Sequence, residues 1–192
     1  MQKHLLNLLL ALSWGLLLPG AAQAAMTAQQ IQSARAEAED LSRQTLDKLY
    51  AVQPMARRVV EGAAGYATFN NFGMKIFIAG GGSGKGVAVD RKSGKKIFMK
   101  MVEVQAGLGF GAKQTSVIWV FDTAAVFNRF VNSGWEIGGQ ATAAATVRGS
   151  GEAYQGALSV SPGVWIYQLT DNGLALELTV KGTKYFKDGD LN

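Results

Sequence analysis

The stretch that decides the fold of this chain is Ala79-Gly80-Gly81-Gly82-Ser83-Gly84-Lys85-Gly86. Residues two apart on a β-strand point to the same side, so glycines at this spacing leave one side of a strand without side chains. Another backbone, a helix or a ligand can then approach that side closely. Similar spacing recurs 25 residues later in Gly107-Leu108-Gly109-Phe110-Gly111. Both runs favour strands of a strongly curved sheet.

The same glycine run does not fit the nucleotide-binding loops that it superficially resembles. A Walker A loop needs a glycine six residues before its lysine and a serine or threonine just after it. Around Lys85 those two places hold Ala79 and Gly86. The dinucleotide fingerprint also fails, because no Gly-x-Gly in this stretch is followed by x-x-Gly. The glycines therefore indicate a structural role.

Around this run, the chain from Gly65 onward alternates with a period of two, and turn residues interrupt it every 8 to 15 positions. This pattern is typical of an antiparallel sandwich or barrel. We predict strands near 66–69, 75–79, 84–90, 96–104, 106–112 and 117–121, and then near 135–147, 152–160, 164–169, 174–180 and 184–186. Residues 90–95 and 171–173 are expected to form hairpin loops.

Two helices flank the strands. Thr27 and Gln30 form a capping box at the start of a segment, 26–50, whose apolar residues recur at spacings of three and four. Asp122 is expected to cap a short helix over 123–132. The predicted fold is thus α+β, a strongly curved antiparallel sheet that is barrel- or sandwich-like and is covered by the N-terminal amphipathic helix and the second short helix.

The N-terminal stretch MQKHLLNLLLALSWGLLLPGAAQA has the features of a secretory signal peptide. It combines Lys3, an apolar run over 5–18, and the small-x-small site Ala22-Gln23-Ala24. The run is shorter than the roughly 20 residues that span a bilayer, which disfavours a retained anchor. We predict cleavage after Ala24, leaving 25–192 as one domain with a helical segment about 27–52 and a β-rich core about 63–188. The expected location is periplasmic or secreted. Peripheral attachment to a membrane is compatible with this prediction.

Composition excludes several classes of enzyme. The chain has 192 residues, with 19 Lys and Arg, 14 Asp and Glu, no Cys, and a single His that lies within the predicted signal peptide. Disulfides, Cys/His zinc sites, Cys nucleophiles and imidazole bases are therefore excluded from the mature protein. We expect no enzyme activity, cofactor, metal or nucleic acid. Four glutamates at strand positions are expected on solvent-facing sides or sheet edges, with no acid–base pairing: Glu103, Glu136, Glu152 and Glu177.

The basic residues fall into clusters. One predicted hairpin tip carries Arg91, Lys92, Lys95 and Lys96, and Arg57 and Arg58 follow the first helix. Such a tip is either a solvated loop or a contact for an anionic surface, where each Lys or Arg contributes about 1 kcal/mol.

Several motifs together resemble bacterial SYLF-domain proteins, over roughly 38–188. They are Gly65-Tyr66-Ala67-Thr68-Phe69, the two glycine runs, the SGWEIGG run over 133–139 and the DNGLALELTVKGTKYFKD run over 171–188. The resemblance implies a lipid-binding module and no catalytic residue. Eukaryotic relatives bind phosphoinositides through an amphipathic N-terminal segment plus basic residues, and some regulate actin. The helix over 27–50 and Arg57-Arg58 occupy the place of that segment.

We therefore predict a non-enzymatic periplasmic protein that attaches peripherally to anionic phospholipid membranes. The predicted contact residues are Arg57, Arg58, Arg91, Lys92, Lys95 and Lys96. Two alternatives remain open at this point. One is an envelope structural or protein-interaction module that docks a partner through strand edges or the glycine-rich side. The other is a carrier of a small apolar ligand held inside the curved sheet.

Overall fold

The computed structural model describes residues 25–76, 79–106, 111–137, 154–171, 173–175 and 182–192. The predicted signal peptide lies outside the described residues, as do residues 77–78, 107–110, 138–147, 152–153 and 176–180 of the predicted strands. Residues 154–157 were predicted as strand but form a turn before the strand that begins at Leu158. The helices are α1 (Ala28–Val52), α2 (Ala56–Gly62) and α3 (Ala124–Ser133). The strands are β1 (Gly65–Ile76), β2 (Ala79–Asp90), β3 (Lys96–Ala106), β4 (Gly111–Phe121), β5 (Trp135–Ile137), β6 (Leu158–Ser161), β7 (Val164–Thr170), β8 (Gly173–Ala175) and β9 (Thr183–Lys187).

The described strands form one antiparallel sheet in the order β5-β9-β3-β2-β1-β4-β7-β6, with β8 also paired to β7. The sheet is strongly curled into a half-barrel, which confirms the predicted α+β class. Tyr185 of β9 shows the curl directly, because its ring centroid lies 4.7 Å from that of Phe69 on β1. On a flat sheet these two strands, three spacings apart, would lie about 14 Å from one another.

The longest pairing joins β1 to β2 over twelve residues on each strand. The sequence led us to expect two short strands within 66–79, but β1 is continuous from Gly65 to Ile76. Likewise, β2 includes the whole glycine run, with Gly73 opposite Gly82. Ladder hydrogen bonds need only backbone groups, so glycines and asparagines of low strand propensity remain in register when both neighbours are long strands.

The inner face of the sheet, which α3 covers, contains the largest apolar cluster. On this face the glycines of β2 are covered by side chains from the adjacent strands. A Cβ built on Gly86 would lie 2.3 Å from the Phe69 ring, and one on Gly84 would lie 2.9 Å from Cγ of Met101. The close approach that the glycine spacing predicted is therefore present, and the approaching groups belong to the protein itself.

The outer face of the sheet is covered by α1 and α2. Helix α1 begins with the predicted capping box and buries Ala38 and Leu49 against the strands. At its centre the contact is polar, because the Thr68 hydroxyl donates to Ser42 Oγ at 2.8 Å. Thr45 donates similarly to Asn70 Oδ1 at 3.1 Å. The expectation that the first helix packs against the β domain is confirmed.

Helix α2 was not predicted from the sequence. It has only seven residues and buries Ala56, Val59 and Val60. Two turns are too few to show a helical period, and Pro54 suggests a break. Proline is nevertheless compatible with the turn that leads into a helix, where its missing N–H costs nothing.

The cap of α3 differs from the prediction. Its N-cap is Thr123, whose Oγ1 accepts from the backbone N–H of Val126 at 3.4 Å. The carboxylate of Asp122 instead accepts from the Tyr154 hydroxyl at 2.9 Å and from Trp165 Nε1 at 3.0 Å. Asp122 therefore joins two distant aromatic side chains on the outer face, a role that local sequence could not show.

Substituting Gly86 tests the importance of the side-chain-free inner face. Gly86→Ala places a methyl group against the Phe69 ring, so we expect the free energy of unfolding to fall by about 2 kcal/mol or more, as overpacked cores do. Urea unfolding followed by circular dichroism measures this. Gly62→Ala is the matched control, because a Cβ there has no atom within 4 Å. Equal stability of the two variants would contradict the argument.

Candidate functional site

The β2–β3 hairpin carries most of the predicted contact residues, and its turn is well ordered by Asp90. The Asp90 carboxylate accepts from the backbone N–H groups of Lys92 and Ser93, each at 2.9 Å. These hydrogen bonds, that of Ser93 foremost, lower the pKa of Asp90. Gly94 closes the turn at φ +71°, a conformation that favours glycine. The predicted hairpin loop over 90–95 is confirmed.

Helix α2 and this hairpin meet at the same end of the sheet. Arg91 Nη2 donates to the carbonyl of Glu61 at 3.4 Å, and the Arg91 backbone N–H donates to Ala64 O at 3.1 Å. Arg57 and Arg58 lie on α2 itself. We call this region, formed by α2 and residues 90–96, the basic end. Two predicted clusters that are more than 30 residues apart in the sequence are thus part of one surface.

The six predicted residues are not equivalent within the basic end. Arg57 forms an ion pair with Glu61 at 3.6 Å, and Lys96 forms one with Glu39 of α1 at 2.6 Å. By contrast, the side chains of three exposed residues have no ion pair with any described residue: Arg58, Lys92 and Lys95. These three cations are available to an external anion.

Two tyrosines lie among the basic residues and were not predicted as part of a site. The guanidinium of Arg57 lies 4.3 Å from the centre of the Tyr50 ring. Burial, and next the neighbouring Tyr66, raise the pKa of Tyr50 to about 12, although Arg57 and Arg91 oppose the shift. Burial likewise raises the pKa of Tyr66 against the influence of Arg91 and Lys96. Both phenols are therefore neutral hydrogen-bonding groups beside the cations. Only the closeness of Tyr50 to Arg57 in the sequence hinted at this.

A second surface feature lies on the outer face, on the side of α1 away from the basic end. A cavity of about 520 Å³ opens there between α1 and strands β1 to β3. Beside it three large apolar side chains are 42 to 68% exposed: Phe72, Val102 and Val104. This feature was not predicted from the sequence, because it depends on where α1 crosses the sheet.

The inner face at that same end is polar and buried. Asn71 Nδ2 donates to Glu103 Oε2 at 2.6 Å, and both side chains are buried. The expectation that Glu103 faces solvent is therefore wrong, whereas Glu136 is exposed as expected. Glu152 and Glu177 lie outside the described residues. Glu103 is in phase with the buried Met99 and Met101 on β3, and this spacing was the signal for its burial.

No group of three or more His, Cys, Asp or Glu side chains that could hold a metal ion occurs among the described residues. In the same part of the chain, no helix is both long enough and apolar enough to span a membrane. The curled sheet with a helix on each face, carrying a basic end and an apolar cavity, has the features of a binding module.

Comparisons with known proteins point to a family. Residues 102–192 match the Ysc84 family model, described as Las17-binding protein actin regulator. The chain is also similar to Beta cell expansion factor A of Aeromonas veronii, with 32% identity over 160 residues. The alignment covers 83% of this chain and 59% of that relative. Both matches support a bacterial SYLF-domain family, the one that the resemblance predicted.

The family supports a binding module of a lipid-binding or actin-regulator-like kind. Neither the family description nor the name of the relative describes a catalytic activity. The chain spans about three fifths of the length of the relative that it matches. Any activity of that longer protein can therefore be assigned to this chain only as a proposal.

The contribution of the buried Asn71–Glu103 hydrogen bond to stability can be tested by adding a second negative charge to the pair. Asn71→Asp puts a second carboxylate against Glu103 in a buried site, so we expect a loss of about 2 kcal/mol or more of stability at pH 7. One carboxyl of the pair takes up a proton as the pH falls, and the folded state of the variant then binds more protons than the unfolded state. The deficit relative to the wild type should consequently shrink between pH 7 and pH 5. Urea unfolding at both pH values measures it.

The exchanged double variant, Asn71→Asp with Glu103→Gln, is the specific control for this prediction. It restores one amide and one carboxylate, so most of the lost stability should return. A deficit in Asn71→Asp that is independent of pH, or that persists in the double variant, would contradict the role of this pair.

Proposed function

We propose that the protein binds peripherally to anionic phospholipid membranes in the periplasm after removal of residues 1–24. The proposed contact surface is the basic end, with Arg57, Arg58, Arg91, Lys92, Lys95 and Lys96. One observation carries the proposal: the contact between Arg91 and the Glu61 carbonyl brings cations from α2 and from the hairpin to one end of the sheet. The comparisons support the proposal only in its coarser form, a lipid-binding or actin-regulator-like module.

The six basic residues of this surface have two different roles. Arg58, Lys92 and Lys95 have no described acidic partner and supply most of the attraction, at about 1 kcal/mol each near an anionic leaflet. Arg57, Arg91 and Lys96 have partners within the protein and mainly fix the geometry of α2, the hairpin and α1. Exposed charges of this kind are screened by salt, so the attraction weakens as ionic strength rises.

A protein-binding role is the second candidate. The family model is named for a Las17-binding actin regulator. In the described part of the sheet, β5 and β6 end the strand order, and an edge strand offers backbone groups to a partner strand. If this role is correct, the protein should capture a partner protein in a pull-down, and that binding should be insensitive to salt and to added lipid.

Flotation with vesicles tests the lipid proposal. We expect the full chain to float with phosphatidylcholine vesicles that contain phosphatidylglycerol and to remain unbound with phosphatidylcholine alone. Lys92→Glu with Lys95→Glu should weaken partitioning by about 2 kcal/mol, or about thirtyfold, because two favourable contacts are lost. Lys96 is left unchanged, since its reversal would also disturb Glu39 on α1.

The matched control is Arg129→Glu with Lys187→Glu, which changes the net charge equally at two exposed positions that are not part of α2 or of residues 90–96. This double variant should bind nearly as the wild type does, once circular dichroism has shown that both double variants are folded. Equal recovery on neutral and anionic vesicles would refute the proposal. Equal losses in the two double variants would refute the assignment to the basic end.

A further inference from the structure

The exposed apolar side chains beside α1 form a groove along β2. In the strand register Phe72 lies opposite Ser83, Ser83 lies opposite Val102, and Gly81 lies opposite Val104. Strand β2 thus contributes only Gly81 and Ser83 to this part of the outer face, while β1 and β3 contribute large apolar side chains on either side. The result is a trough with a small-residue floor and apolar walls, which we call the outer groove.

One end of the outer groove runs into the cavity beside α1, where Leu41 and Glu37 form part of the wall. The cavity volume of about 520 Å³ falls within the roughly 300–1,000 Å³ that small-molecule sites occupy. The floor of this trough is one strand wide, which suits a single hydrocarbon chain better than a broad protein surface.

Two lysines border the same cavity. Lys85 and Lys100 are directly opposite each other on β2 and β3, one row closer to α1 than Ser83 and Val102. Like charges at such a cross-strand position repel, and carboxylates offset them here. Lys85 Nζ lies 3.2 Å from Glu37, whereas Lys100 Nζ lies 2.9 Å from each of two carboxylates, those of Asp188 and Asp190. Lys100 is therefore already neutralised, while Lys85 is half exposed and has one exposed partner, so Lys85 is the cation that an arriving anion can reach.

We propose that the outer groove binds the hydrocarbon chain of a single-chain anionic amphiphile, of the fatty-acid type, with its carboxylate beside Lys85. The apolar walls select the chain, and the Lys85 ammonium selects a negative head. The site is distinct from the basic end and does not depend on membrane attachment. It also lies on the opposite face from the sheet interior, where the sequence led us to place an apolar ligand. There the described residues include the packed rings of Phe69, Trp119 and Tyr185.

Binding of oleate below its micellar concentration tests the proposal by isothermal titration with the full chain. We expect saturable binding that Phe72→Asp and Val102→Asp each weaken at least tenfold, because a carboxylate in the wall repels the chain and the head. The matched control is Val52→Asp, since Val52 is 51% exposed on α1 and lies outside the groove. Its affinity should stay within twofold of the wild type, with folding of all variants checked by thermal melts.

The charged end is tested by Lys85→Met, which keeps an apolar stem and removes the charge. Oleate affinity should fall severalfold, while affinity for oleyl alcohol, which has the same chain and a neutral head, should not fall. Lys100 is left unchanged because it neutralises the buried carboxylate of Asp188.

Three outcomes would overturn the proposal. They are the absence of saturable oleate binding to folded wild type, equal weakening by Phe72→Asp and Val52→Asp, and a wild-type dimer that Phe72→Asp dissociates while oleate binds neither form. Failure of vesicle flotation with oleate binding intact would refute only the proposed membrane function. Flotation without oleate binding would refute only the groove.

Discussion

The structure depends on the absence of side chains along the inner face of β2. Three glycines there, Gly82, Gly84 and Gly86, leave space that neighbouring side chains fill, and Phe69 takes the place above Gly86. Because that layer is thin, the sheet can curl far enough for Tyr185 of β9 to contact the rings at its centre. The aromatic core of the half-barrel is therefore a consequence of one strand that contributes almost no volume to it.

The two faces of β2 also explain the two unusual features at one end of the sheet. On the inner face, the absence of side chains lets Asn71 of β1 reach across to Glu103 of β3 and form a buried hydrogen bond. On the outer face, Gly81 and Ser83 form the floor between two rows of apolar side chains. A larger residue at an inner position would collide with the core, and one at an outer position would fill the groove.

Much of the fold could be predicted because the signals are local. The capping box at Thr27, the turn at Asp90 and the alternation of β3 each depend on a few neighbouring residues. The burial of Glu103 was misread because its charge was given more weight than its phase with Met101. Helix α2 and the outer groove could not be predicted, since they depend on contacts between distant segments. The same limit applies to the basic end, where the clusters were predicted but the pairing of Lys96 with Glu39 was not.

The lysines that flank α1 link its position to both proposed sites. Lys85 pairs with Glu37 and borders the outer groove, while Lys96 pairs with Glu39 and belongs to the basic end. An anion bound at either lysine competes with a carboxylate of α1, and such coupling is reciprocal. Exposed ion pairs of this kind contribute only about 0–1 kcal/mol each. Burial of Leu49 alone contributes about 1.5–3 kcal/mol to holding the helix on the sheet. Occupation of either site therefore loosens α1 slightly and does not by itself release it.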